Sequence, residues 1–230
     1  MRIFFFRILL LTGFCFSAVA VGAQTSAEYS GPAKESSLTI VYDINIIKGK
    51  TKAGIEETYN GGVKTLMLKN ETIRMRLVSL MRIQSIYLYK TDSVLKKVII
   101  AKESGQKKYK YILKPSEWKF YNEKYDSVSC ILTDDSLLVA GYECKKAILT
   151  FRSGKEVIAF YTIKLKPFDK YTEPMFAGLP GMVLRYEHEE KNGRILFNAS
   201  KVSFDPIDGK IFEEPGPEFH SQKYHPIRHE

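Results

Sequence analysis

The chain has 230 residues, 44% of them hydrophobic and 27% charged, and 35 Lys+Arg against 26 Asp+Glu give a formal charge of +9. That balance excludes wholesale disorder, collagen and coiled coil, and it fits one sizeable domain. Three cysteines are too few for a disulfide-built scaffold.

Residues 1–23 read as a secretory signal peptide. Arg2 and Arg7 make a positive n-region, and an apolar run from Ile8 to Val19 follows. Ala18-Val19-Ala20 and Val21-Gly22-Ala23 then offer two small-residue cleavage sites. The run is short for a bilayer's ~30 Å of hydrocarbon, and no later stretch reaches the ~18 apolar residues of a membrane helix. The expectation is therefore an exported chain with no transmembrane span after cleavage. Cleavage follows Ala23, with Ala20 as the alternative. It discards Cys15 and lowers the formal charge from +9 to +7. Export also makes nucleic acid a poor partner. Residues 24–36 are small and polar and predict a flexible arm.

From residue 37 the pattern has period 2. Leu38, Ile40, Tyr42, Ile44 and Ile46 alternate with Thr39, Val41, Asp43 and Asn45, which is a half-buried strand. Segments 63–70, 72–80, 84–90, 94–101 and 107–113 read alike. So do 126–132, 137–151, 156–165, 182–188 and 194–204. Turn chemistry separates them at Asn60-Gly61-Gly62, Arg152-Ser153-Gly154-Lys155 and Asn192-Gly193. The apolar phase slips near Ser200-Lys201, where Ile195, Phe197 and Ala199 give way to Val202 and Phe204; a β-bulge explains this. One short helix fits 115–124, with Ser116 as its cap. The predicted fold is mainly β: a single antiparallel, strongly twisted sheet over 37–212, an open half-barrel or barrel-like, with little helix. Residues 213–230 carry Pro215, Pro217 and Pro226 and predict an irregular tail.

Several positions are candidates for chemistry. Residues 107–125 interleave lysines with Tyr109, Tyr111, Trp118, Phe120, Tyr121 and Tyr125. Such a strip suits anions or sugar rings, or it shields a sheet edge with lysines. Cys130 and Cys144 form a disulfide if the oxidising compartment decides. They remain free if register decides. With Thr133-Asp134-Asp135-Ser136 as the hairpin turn, Cys130 faces Val139 and Cys144 faces Tyr125. Five residues of offset is ~16 Å at ~3.3 Å per residue, beyond a disulfide's ~7 Å Cα limit. His220, His225 and His229, with Glu218 and Glu230, are the one candidate metal cluster, and their spacing is not diagnostic. No hydrolase elbow, P-loop, H-E-x-x-H or paired C-x-x-C motif is present, so no catalytic residue and no cofactor are assigned.

The most distinctive segment is Phe176-Ala177-Gly178-Leu179-Pro180-Gly181-Met182-Val183-Leu184. Pro180 presets φ for a type II turn, Gly181 supplies its positive φ, and Gly178 permits a close backbone approach. Phe176, Gly178, Leu179, Pro180, Gly181 and Met182 are either a rigid corner or a recognition edge that binds a ligand or partner strand. This segment resembles the signature of the GLPGLI family of exported Bacteroidetes envelope proteins. Gly141-Tyr142-Glu143-Cys144-Lys145-Lys146-Ala147, Phe151-Arg152-Ser153-Gly154-Lys155 and Ala159-Phe160-Tyr161-Thr162 resemble the family's upstream context. The likeness covers about 139–188. Met182-Val183 stand where the name has Leu-Ile, and Phe160 stands where the family usually has Trp. The resemblance implies the periplasm or outer-membrane surface of a Gram-negative cell, often in genetic company with TonB-dependent outer-membrane receptors. It implies no activity.

The function expected from the sequence is a non-catalytic binding or accessory protein that engages a hydrophobic ligand or an envelope partner such as an outer-membrane receptor. The carrier version predicts an open cavity lined by the apolar faces of 38–46, 147–161 and 183–199. The alternatives are a periplasmic hydrolase with an unrecognised site and a structural envelope oligomer.

Overall fold

The computed structural model describes residues 37–48, 59–190 and 193–225. The expected signal peptide (1–23), the expected arm (24–36), Asn192 and His229 lie outside the described residues. Among the described residues there are twelve strands, and all but the last follow the alternation in the sequence. They are β1 (Ser37–Lys48), β2 (Gly62–Lys69), β3 (Thr72–Val78), β4 (Ile83–Thr91), β5 (Val94–Ser104), β6 (Lys107–Leu113), β7 (Ser129–Val139), β8 (Tyr142–Thr150), β9 (Glu156–Thr162), β10 (Met182–Glu190), β11 (Gly193–Ser203) and β12 (His220–Gln222). They form one twisted sheet in the order β12-β6-β5-β4-β3-β2-β1-β11-β10-β9-β8-β7, not closed into a barrel. All pairings are antiparallel except β12 with β6, which is parallel. The bulge read from the phase slip is present: Val41 pairs with Lys201 and Tyr42 with Ala199, leaving Ser200 over.

The core lies on one face. Ile40, Tyr42 and Ile44 of β1 are buried there with Leu66, Ile73, Leu88, Val98, Ile100, Ala147, Leu149, Val157, Ala159, Leu184, Tyr186, Ile195 and Phe197. Two irregular pieces fill this face. Helix α1 (Pro115–Tyr121) contributes Trp118, and residues 163–181 contribute Leu165, Phe168, Phe176 and Leu179. The helix is capped by Lys114 rather than by Ser116, because Pro115 at its first position needs no hydrogen bond and Glu117 reaches back to accept from the Lys114 N–H at 2.7 Å. The expected open cavity over 38–46, 147–161 and 183–199 is corrected: side chains of 163–181 occupy that space, with Phe176 1% exposed.

The opposite face is covered by a strap, residues 204–219. It crosses the sheet strand by strand, and its carbonyls are the anchors. Lys69 of β2 donates to the Ile207 carbonyl at 3.0 Å, Arg74 of β3 to Ile211 at 3.0 Å, Tyr89 of β4 to Phe212 at 2.9 Å and Lys110 of β6 to Pro215 at 2.8 Å. Ile207 and Phe212 pack on Met67, while Phe219 lies against Tyr87, Ile99 and Ala101. This explains why Val98, Ile99, Ile100 and Ala101 are all buried in succession, where period 2 alone would bury alternate residues. The tail expected to be irregular from 213 therefore ends in a strand: β12 adds to β6 through His220, Ser221 and Gln222.

The hairpin between β7 and β8 turns at Ala140-Gly141, with φ of 48° and 82°, and not at Thr133–Ser136. Two consecutive positive φ values match the twist of the flanking strands, and glycine takes its share without strain. Thr133, Asp134 and Asp135 instead bulge out of β7, between Leu132 paired with Ala147 and Ser136 paired with Lys145. No described strand pairs with the far side of β7, where Ile131 is 61% and Leu138 72% exposed.

Candidate functional site

The Gly-Leu-Pro-Gly segment is the strongest signal in the sequence, and the structure places it in the core covering. Glu173, Pro174 and Phe176 accept the turn hydrogen bonds of Phe176, Ala177 and Leu179 in turn, at 2.9, 3.3 and 3.0 Å. Phe176, Leu179, Gly181 and Met182 are buried, whereas Gly178 and Pro180 are exposed. Neither glycine plays its expected role. Gly181 is not among the positive-φ residues, so the type II turn is corrected. Glycine is required there because a Cβ would stand 2.6 Å from the Thr162 carbonyl carbon and closer still to its oxygen. Around Gly178 a Cβ would meet nothing within 4 Å, so no close approach occurs.

The segment is pinned by a buried charge pair. Lys64 on β2 forms an ion pair with Glu173 and donates to the Tyr186 hydroxyl at 3.2 Å. Its ammonium also lies 5.5 Å from the Tyr42 ring and 5.4 Å from the Tyr186 ring. Burial raises the pKa of both tyrosines, so they stay protonated. Tyr42 donates to the Val183 carbonyl at 2.8 Å. Asp169 fixes the start of the loop by accepting from the Tyr171 and Thr172 amides at 2.9 and 2.7 Å and from Lys90 at 2.5 Å. Burial alone would raise its pKa. The hydrogen bonds from Lys90 and Thr172 outweigh burial and hold it below the usual carboxylate value.

Open space appears at the other end of the core face. A cleft of about 780 Å³ lies between β5 and β6, the end of α1, the β8–β9 turn and the segment after β12. Its size suits a small-molecule site. The floor is Ile100, and the rings are Tyr111, Phe120, Tyr121 and Tyr224. Tyr121 stacks on Trp118 at 5.3 Å and meets Tyr224 at 6.2 Å. Tyr111 donates to the Gln222 side chain at 2.7 Å, joining β6 to the strap's end. The polar lining contains Lys102, Lys124, Arg152 and Lys223 against Glu123 and Asp126. Burial first, then the nearby Arg82, lowers the pKa of Lys102, whose ammonium sits 5.5 Å over the Tyr111 ring. Burial raises the pKa of Tyr121 and Tyr224.

The strip 107–125 thus divides. Tyr111, Phe120, Tyr121 and Lys124 line the cleft, Trp118 enters the core, and Lys110 ties the strap. Nothing in the sequence places Lys102, Arg152 and residues 222–225 in one site; only the fold gathers them. Cys130 is exposed and Cys144 buried, both as free thiols. Cys130 pairs with Leu149, five positions along β8 from Cys144, roughly 16 Å at ~3.3 Å per residue. Burial, and then Glu143, push the Cys144 thiol up to about 11, and burial raises Cys130. Both are poor thiolates. Among the described residues no group of three His, Cys, Asp or Glu side chains comes together as a metal site. His220 lies on β12 and His225 at the cleft. His188 is half-buried with its ring 5.7 Å from Phe197. No described helix is long and apolar enough to cross a membrane.

No protein-family model matches the chain, and no curated protein matches it in sequence. Among solved structures, PNGF-II in a C2 crystal form is 14% identical, with a TM-score of 0.46 over 82% of this chain and 31% of its own. This chain therefore spans about a third of that protein's length. An uncharacterised conserved protein from Thermus thermophilus is 6% identical (TM-score 0.38, 82% of this chain, 91% of its own). A beta-barrel-like protein of a domain of unknown function from Brucella abortus is 8% identical (TM-score 0.32, 74% of this chain, 98% of its own).

Proposed function

We propose that this chain is an exported, non-catalytic binding protein of a Gram-negative envelope, of the GLPGLI kind, which holds a small apolar ligand in the cleft at Tyr111, Tyr121 and Tyr224. It works in the periplasm or at the outer membrane, alongside a TonB-dependent receptor. The observation that carries the binding reading is the aromatic-walled cleft of about 780 Å³, built from five separate stretches of chain. Exposed aromatic surface costs solvation free energy, roughly 25 cal/mol per Å² of apolar area, and an apolar occupant would recover it. The Gly-Leu-Pro-Gly segment is then the fixed base of the fold, and the cleft is the part that meets the ligand.

The test is titration of the purified mature chain with the neutral fluorophore N-phenyl-1-naphthylamine. Saturable enhancement that Tyr121→Ala weakens by about tenfold supports the reading, a loss on the scale of one buried aromatic contact. Absence of dye binding, or turnover of an ester, peptide or glycoside by the same preparation, overturns it. Export is tested separately by fractionation and N-terminal sequencing, which should find the mature chain beginning at Gln24.

A further inference from the structure

We infer that the cleft selects an amphiphile with a single anionic head, whose hydrocarbon or aromatic body lies on Tyr121 and Tyr224 and whose head meets Lys102 and Arg152. This rests on the cleft being the binding site and adds the chemistry of the occupant.

The two sides of the cleft differ. Ile100, Tyr121 and Tyr224 offer an apolar floor and ring faces, while Lys102 projects from β5 and Arg152 from the β8–β9 turn. Arg152 donates to the Ser127 hydroxyl at 3.2 Å, and among the described residues no carboxylate forms an ion pair with Arg152 or Lys102. The other charged side chains of the lining offset one another. Lys124 and Lys223 also line the cleft, against Glu123 and Asp126. Arg82 stands close enough for its charge to act on both Lys102 and Tyr121, and its Nε is buried without a hydrogen-bond partner among the described residues. A half-buried ammonium that faces a second cation and lacks an anion is under-solvated, which its depressed pKa reports. An incoming carboxylate, phosphate or sulfonate restores that missing partner, and a charge-assisted hydrogen bond in such a setting is worth more than one in bulk water. A neutral ligand of the same shape gains only the apolar contact.

The experiment displaces N-phenyl-1-naphthylamine from the mature chain with a matched pair, laurate and dodecanol, which differ in charge but not in chain length. Laurate is expected to displace the dye at about tenfold lower concentration than dodecanol, the scale of one hydrogen bond to a charged group. Lys102→Gln should erase that preference, laurate then needing the same concentration as dodecanol, and Lys102→Arg should keep it. Inorganic phosphate alone should not displace the dye, because it lacks the body; displacement by phosphate would make the site a simple anion site and overturn the amphiphile. Equal displacement by laurate and dodecanol in the unaltered chain overturns the anionic head but leaves the apolar cleft standing. A preference that survives Lys102→Gln overturns the role given to Lys102. Failure of the dye itself to bind overturns the cleft reading instead.

Discussion

Each face of the sheet is covered by a long, largely irregular segment, but the two coverings are held differently. Residues 163–181 insert whole side chains into the core and lock them with the Lys64/Glu173 pair. The strap 204–219 lies on the outer face and is held by hydrogen bonds from Lys69, Arg74, Tyr89 and Lys110 to its carbonyls, by the Lys97/Glu214 ion pair, and by Ile207, Phe212 and Phe219. The first covering is part of the fold's stability. The second delivers residues 222–225 to the cleft and contributes less to holding the molecule together.

Substitutions can break this contrast. Phe176→Ala should cost about 3–5 kcal/mol, since the ring is fully buried against Phe168 and Tyr186. Phe212→Ala should cost clearly less; similar losses in thermal midpoint by circular dichroism would end the distinction. Gly181→Ala should cost about 1–3 kcal/mol by overpacking against Thr162. The same change at Gly178 should stay within about 0.5 kcal/mol. Equal effects at the two glycines would return the motif to a simple turn.

Acid should loosen the inner covering. The Asp169 carboxyl is held below its unfolded value, so its contribution is complete above about pH 4 and fades as the pH falls through the lower folded value. Hydrogen exchange at the Tyr171 and Thr172 amides should accelerate in that window, and Asp169→Asn should abolish the acceleration. Removing residues 219–230 should lower the thermal midpoint by only a few degrees, on the order of 1 kcal/mol, yet abolish dye binding. A truncated chain that still binds would detach the strap from the cleft.

Much of the sheet was legible because its cause is local. Alternation of Leu38, Ile40, Tyr42 and Ile44 marks β1, and the lost phase at Ser200 marks its bulge. The failures also have physical reasons. Asp134-Asp135 looks like a turn because such residues favour turns, yet Ala140-Gly141 turns the chain and buries Val139 and Cys144. Gly181 looks like a positive-φ residue, but its constraint comes from Thr162 across the loop. Lys64 and Glu173 are 109 residues apart, and nothing local announces their meeting. Ile207, Ile211, Phe212 and Phe219 follow neither the period of a helix nor that of a strand, so residues 205–212 carry no predicted element and 213–219 read as tail. The cleft was half legible: Tyr111, Phe120 and Tyr121 are close in sequence, whereas Lys102, Arg152 and Tyr224 are brought to them only by the strand order.

The bulge at Thr133, Asp134 and Asp135 has a consequence for life at high concentration. It cuts β7 into two short apolar stretches, Ser129–Leu132 and Ser136–Val139, and sets Asp134 and the Asp135/Lys146 ion pair between them. A straight strand of this length with Ile131, Leu132 and Leu138 uncovered would template another molecule's backbone. The kink and its charges therefore act as gatekeepers, denying neighbouring copies a continuous ladder on which fibrils could grow.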